Sequence, residues 1–296
     1  METSSKNGKK EHRKRNVLRR VLPIALSLAL VITLVSAGVM TAYAHHKTPL
    51  TTARSGDWKY GPAEGGGIQI EWVGKKSVVK IPNKLKGKKV VEAFILEAYM
   101  GKKVKKVDAT AARSLTYLEV NSWGMTSIDL SKSTALKTLN LYNAPLKSLN
   151  LSAAMKLEDF ELMGSKIRSI GLANHTRLKG ILIRDSSYLR TLTVNGCRSL
   201  DQINMSGTKV GALNFTGDNK LRAAYVSDNR IKKLTLPAKA CMTHLGFDRN
   251  PGLQVDAKSQ KSTLIEVYYS VNGVSTRVQI KHNEWDWSAG SIFKNT

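Results

Sequence analysis

Cysteine is almost missing: the 296-residue chain has two, Cys197 and Cys241. No C-x-x-C pair, metal-ligand spacing or nucleophile motif surrounds either, which excludes a disulfide scaffold, a cysteine-held zinc and a thiol enzyme as organising themes. Aromatic residues are 6 % of the chain, too few for an aromatic-rich globular core. Acidic side chains are also scarce. Asp and Glu number 22 against 47 Lys and Arg, a formal net charge of +25. Such an excess acts on partners and solubility rather than on fold. It points to polyanions: nucleic acid, anionic lipid, acidic glycans or wall polymers. No acid, base and nucleophile fall into a catalytic motif, so a non-catalytic protein without cofactor or metal is expected.

What the chain has in abundance is a repeat. Fourteen segments read L-x-x-L-x-L, beginning at Leu115, Met125, Leu136, Leu146, Leu157, Ile167, Leu178, Leu189, Leu200, Val210, Leu221, Ile231, Met242 and Leu253. Their spacing is ten or eleven residues, so pairs form a unit of 21, once 22. A fixed period of this size means a solenoid in which each turn buries its apolar side against its neighbours. Alternation within L-x-L sends leucines inward and the residue between them outward. Turn residues separate the segments, at Ala144-Pro145, Gly164-Ser165, Gly196, Gly207-Thr208, Asp228-Asn229 and Asn250-Pro251. Ten residues leave no room for a useful helix. The spacing predicts a β-rich leucine-rich repeat solenoid of about seven coils over 115–257, with strands on both faces and little helix. Cys197 and Cys241 fall two coils apart, roughly 10 Å at a strand spacing of about 4.8 Å. A disulfide needs Cα atoms within about 7 Å, so two free, mostly buried thiols are expected.

The flanks differ from the array. Residues 1–20 carry eight basic side chains, 21–40 carry no charge, and Ala42-Tyr43-Ala44 forms an A-x-A site before His45-His46. This order is that of a secretory signal over 1–44. An uncleaved anchor over 21–40 stays open, because twenty apolar residues span a bilayer. Both readings place 45–296 outside the cytoplasm, secreted or at the cell surface. Residues 45–114 form an N-terminal β cap, marked by Ile68-x-Ile70-x-Trp72 and Val79-x-Ile81. In 258–296, Asn272-Gly273 lies between alternating runs, a hairpin signal, with Trp285 and Trp287 beyond it as a cap over the last coil.

Two sets of outward residues are binding candidates. Lys147, Lys166, Arg168, Arg190, Lys209, Arg230, Lys232 and Lys233 recur just before or within the second strands, interrupted by Gly211. Stacked like charges repel, and a polyanion relieves the repulsion. The competing account is a solvated, solubilising face. The first strands present a mixed face of Tyr117, Glu119, Tyr142, Asp159, Glu161 and Tyr225, polar and open, suited to protein or sugar. No nucleic-acid motif accompanies the lysine runs.

The segment Leu115 to Ala257 resembles the bacterial leucine-rich repeat class with a 21-residue doubled unit, L-x-x-L-x-L-x-x-N-x-L-x-x-L-D-L. The unit from Leu221 to Leu236 keeps its Asn at Asn229, and the next has Asn250, whereas earlier units place Trp123, Ala144 and Ser165 there. Ile68, Ile70, Gly74, Val79, Ile81, Pro82, Leu85, Gly87 and Val90 resemble the opening of BspA-like bacterial surface proteins. The resemblance implies adhesion: an extracellular protein, glycan or anionic wall polymer bound on the solenoid faces. A wall-associated structural protein held by its basic face is the alternative.

Overall fold

The computed structural model describes residues 49, 51–97, 104–239 and 242–256, and the backbone of strands Leu264–Val271 and Val274–Lys281. The signal or anchor segment, Cys241, the Asn272-Gly273 turn, Trp285 and Trp287 lie outside the described residues. One long sheet dominates. Its parallel strands are Ile68–Trp72, Lys88–Leu96, Tyr117–Asn121, Thr138–Tyr142, Asp159–Met163, Gly180–Arg184, Gln202–Met205, Ala223–Tyr225, His244–Gly246 and Leu264–Val271. Thr138 pairs with Tyr117 and Asp159, Gly180 with Gln202, and Ala223 with His244, steps of 21, 21, 22 and 21 residues. Between these strands the chain crosses to short second strands, which form three small parallel sheets, for example Ala212–Asn214, Lys233–Thr235 and Gln254–Asp256. No α-helix occurs among the described residues.

The solenoid has about nine turns rather than seven. The motif undercounts because Ile68–Trp72 and Lys88–Leu96 continue the sheet in parallel with valine and isoleucine instead of leucine. Leu264–Val271 extends it at the far end. Both ends of the sheet finish antiparallel, with Trp58–Pro62 on Ile68–Trp72 and Val274–Lys281 on Leu264–Val271.

The core is a ladder. All of the repeat's first positions from Leu115 to Met242 are buried, and only Leu253, where the pattern decays, is partly exposed. Leu139 and Leu141, Phe160 and Leu162, and Ile181 and Ile183 are fully buried between the two strand sets. Turn chemistry repeats with the same step. Asn143, Gly164, Asp185, Gly207, Asp228 and Arg249 follow the long strands, and all have positive φ. Asparagine, aspartate and glycine tolerate that region, whereas Arg249 does not do so readily.

The polar ladder differs from the sequence expectation. Trp123 does not occupy the asparagine position; it is 67 % exposed. Ser122 turns inward instead, with Oγ donating to the Glu97 carboxylate at 2.6 Å. Cys197 is a buried free thiol donating to the Leu172 carbonyl at 3.1 Å.

Candidate functional site

The basic side chains come together as expected, in two interleaved columns rather than one. Lys147, Arg168, Arg190 and Lys232 share one register position with Gly211. The backbone bonds Arg190 N to Arg168 O at 2.9 Å and Lys232 N to Gly211 O at 2.8 Å stack that column. Two residues earlier in each coil stand Lys166, Lys209 and Arg230, with Tyr188 between them, 49 % exposed. A buried residue, such as Ile167 or Val210, separates the columns, so both flank one line of coil. Lys233 opens its own second strand beside Lys232. All eight cations are exposed, and none forms an ion pair among the described residues.

A second charged column, not singled out in the sequence, behaves in the opposite way. Just before the long strands stand Lys137, Glu158, Lys179, Asp201 and Arg222, alternating in sign from coil to coil. Glu158 receives Lys179 at 2.6 Å and Lys137 at 3.6 Å, and Arg222 grips Asp201 with both arms of its guanidinium. The hydrogen bond from Lys179 holds the Glu158 carboxyl below its ordinary range and raises the Lys179 ammonium. At the last coils Arg249 pairs with Asp228 and Asp248. Reading every twenty-first residue for sign would have revealed this column. Exposed pairs of this kind contribute at most about 1 kcal/mol each. Their main effect is to avoid stacked repulsion, which the basic columns leave uncompensated.

The mixed face is not the open surface expected. Glu119 is 0 % exposed, Tyr117 4 % and Glu161 6 %, while Tyr142, Asp159 and Tyr225 are half-buried. The register sets Asn140 between Glu119 and Glu161. The phenols turn onto the carboxylates: Tyr117 donates to Glu119 at 2.7 Å and Tyr142 donates to Glu161. Asn140 donates to the Tyr117 oxygen at 3.2 Å, and the Phe94 ring lies 5.3 Å from that of Tyr117. Burial, then the Glu161 charge, keeps Tyr142 protonated, a permanent donor. These side chains form a tied polar network, and Glu161 is engaged rather than presented. Among the described residues, no cluster of His, Cys, Asp and Glu is arranged to hold a metal. A cleft of about 430 Å³ lies beside Asp57, Trp58, Trp72, Lys76, Val78 and Lys80, away from both columns.

No family model matches the chain, and no curated protein matches it in sequence. Solved structures do resemble it. One is the functional domain of InlJ from Listeria monocytogenes, which includes a cysteine ladder: 15 % identity, TM-score 0.42, covering 53 % of this chain and 39 % of that one. The leucine-rich repeat domain of APL1B matches at 12 % identity and TM-score 0.27, covering 56 % and 74 %. A leucine-rich cell surface protein of Faecalibacterium prausnitzii matches at 10 % identity and TM-score 0.26, covering 73 % and 78 %. The chain thus spans well under half the length of the Listeria domain. At these scores the likenesses add nothing to the strand registers, which by themselves define a leucine-rich β-solenoid.

Proposed function

We propose that the chain is an exported, non-catalytic binding protein that holds an anionic polymer or the acidic surface of an extracellular protein along its basic columns. One observation carries this reading. Charges stacked before the long strands are neutralised coil by coil, whereas the eight exposed cations on the second-strand side form no ion pair among the described residues. Leaving stacked cations unneutralised has an electrostatic cost that a polyanion would relieve, with release of counterions. The signal-like segment 1–44 supports export, and the 21-residue repeat and BspA-like opening support a bacterial surface setting.

The test is capture of the chain from residue 45 on immobilised teichoic acid, heparin and matrix protein at two salt concentrations. Capture by an anionic polymer, weakened by salt, is the expected result. No capture on any of the three contradicts the reading. A wall-associated structural role is the second reading, favoured by the run of the basic columns through successive coils. Retention on teichoic acid alone would select it.

A further inference from the structure

The second turn of successive coils buries one side chain at a fixed place: Ala112, Ser133, Ala154, His175, Cys197 and Asp218. Asn229 and Asn250 occupy the matching place in the first turns and show what it requires. Their Oδ1 atoms accept from a backbone N–H of the coil before, Thr208 N at 3.2 Å and Ile231 N at 2.9 Å. Their Nδ2 atoms donate to the carbonyl three residues back, Val226 at 2.8 Å and Phe247 at 2.9 Å. They also donate to a carbonyl of the coil before, Met205 at 3.0 Å and Val226 at 2.8 Å. His175 copies this with its ring nitrogens, 3.0 Å from Leu172 O and 3.3 Å from Leu151 O. Cys197 keeps the contact to the coil before through its thiol.

Asp218 copies half of it. Its Oδ1 accepts from Cys197 N at 2.7 Å, as the asparagines do. Its Oδ2 is fully buried and has no hydrogen-bond donor. At this register position the asparagine pattern puts the side-chain donor against the carbonyls three and twenty-four residues back, which here are those of Phe215 and Val194. Those are acceptors, and an ionised carboxylate has nothing to give them. We infer that the folded chain holds Asp218 as the neutral acid, with Oδ2–H serving as the ladder donor, so that folding takes up a proton.

The surroundings agree. The group stacked beneath Asp218 is the Cys197 thiol, which burial raises well above its ordinary range, so it brings no charge to Asp218. His175 lies one coil further. Arg198, Lys220 and Lys239 are exposed and offer no buried counter-charge. Burial pushes Asp218 up to about 8, against the backbone N–H of Cys197, which lowers it. An unfolded Asp titrates near 3.9, roughly. Between these values the folded chain keeps a proton that the unfolded chain has released. Stability from this group is therefore complete below about pH 4, falls as pH rises toward 8, and is level above.

Reciprocal substitution in the full chain tests this. Asp218→Asn supplies the amide, and Asn229→Asp installs the acid at the equivalent place. Melting midpoints would be followed from pH 5 to pH 9, with carbon-labelled aspartate NMR reporting the carboxyl state at pH 6. Expected are a D218N midpoint above wild type by a margin that widens from pH 5 to pH 8 and then holds, a new fall over that window in N229D, and a protonated carboxyl signal lost in D218N. A margin independent of pH, or an ionised Asp218 at pH 6, overturns the inference. Should D218N not fold, the wild-type carboxyl signal alone decides.

Discussion

Asn229→Ala removes a side chain that ties two coils together. Its Nδ2 lies 2.8, 2.9 and 3.0 Å from the carbonyls of Val226, Ser227 and Met205. Its Oδ1 receives Thr208 N at 3.2 Å and the Thr208 hydroxyl at 2.5 Å. Asn229 and Thr208 are only 5 % exposed, so water does not readily replace these bonds. Val226 O keeps the Asn250 amide, so alanine leaves the Ser227 and Met205 carbonyls and the Thr208 N–H short of a partner. Each orphaned group costs roughly 1–3 kcal/mol, and some relaxation is expected, so the loss should be about 4 kcal/mol. For a body of this size that corresponds to roughly 8–16 °C in melting midpoint. Urea and thermal unfolding followed by far-UV dichroism would measure it. Ser165→Ala is the control. Its hydroxyl meets only Ser186 Oγ, at 3.3 Å, and its loss should cost about 1 kcal/mol or less. If N229A unfolds within about 1 kcal/mol of wild type, the ladder does not tie the coils and the reasoning fails.

Other expectations follow from the registers. Asp201→Lys places three cations in consecutive coils at 179, 201 and 222 and should lower the melting midpoint at low salt, with the deficit shrinking as salt rises; a salt-independent change would contradict the charge-column account. Gly196→Ala should destabilise by at least about 1 kcal/mol, because φ is +81° and the new Cβ would crowd Asn174 Oδ1; unchanged unfolding in urea would refute this. Deleting residues 157–177 removes one coil in register and should leave the β-type dichroism spectrum intact, whereas deleting five residues within it should abolish the spectrum. If the signal is cut after Ala44, N-terminal sequencing of protein from its own host should begin at His45, and recovery of an intact terminus in the membrane fraction would favour the anchor.

The ladder of leucines made the fold legible because burial at every turn forces the same residue type at the same step, and Leu115 through Met242 are buried as the motif requires. The ends were legible as strands and a hairpin but not as further coils of the solenoid. Ile68–Trp72 and Lys88–Leu96 build coils from β-branched residues, and Glu92 pairs with Tyr117 after a step of 25 residues, outside the period. A one-residue offset hid the ladder's start, since alignment by leucines points to Trp123 while the backbone turns Ser122 inward. The basic columns were legible as a recurrence of one sign. The compensated column was not, because alternation of sign looks like scatter unless read coil by coil. Strand alternation correctly set Tyr117, Glu119, Tyr142 and Glu161 on one face, but not how the phenols fold back upon the carboxylates. Nor does sequence distinguish the environments of Asp218 and Asp228, the one buried with burial raising it, the other paired with Arg249, whose hydrogen bond lowers it.

The most direct measurement of the central claim compares two sets of five charge reversals for binding to heparin and teichoic acid across a salt series. One set reverses Lys147, Arg168, Arg190, Lys232 and Lys233 to Glu; the other reverses the exposed Arg113, Lys132, Lys156, Arg198 and Lys220, which lie at the second turns and outside the columns. Both change net charge equally. Charges acting along one line, within about a Debye length of 8 Å, should matter together. The column set should abolish binding, the second set should weaken it modestly, and wild-type affinity should fall steeply with salt. Equal losses in both sets would make net charge alone responsible, and salt-insensitive binding would place the ligand elsewhere; either result contradicts a polyanion held on the basic columns.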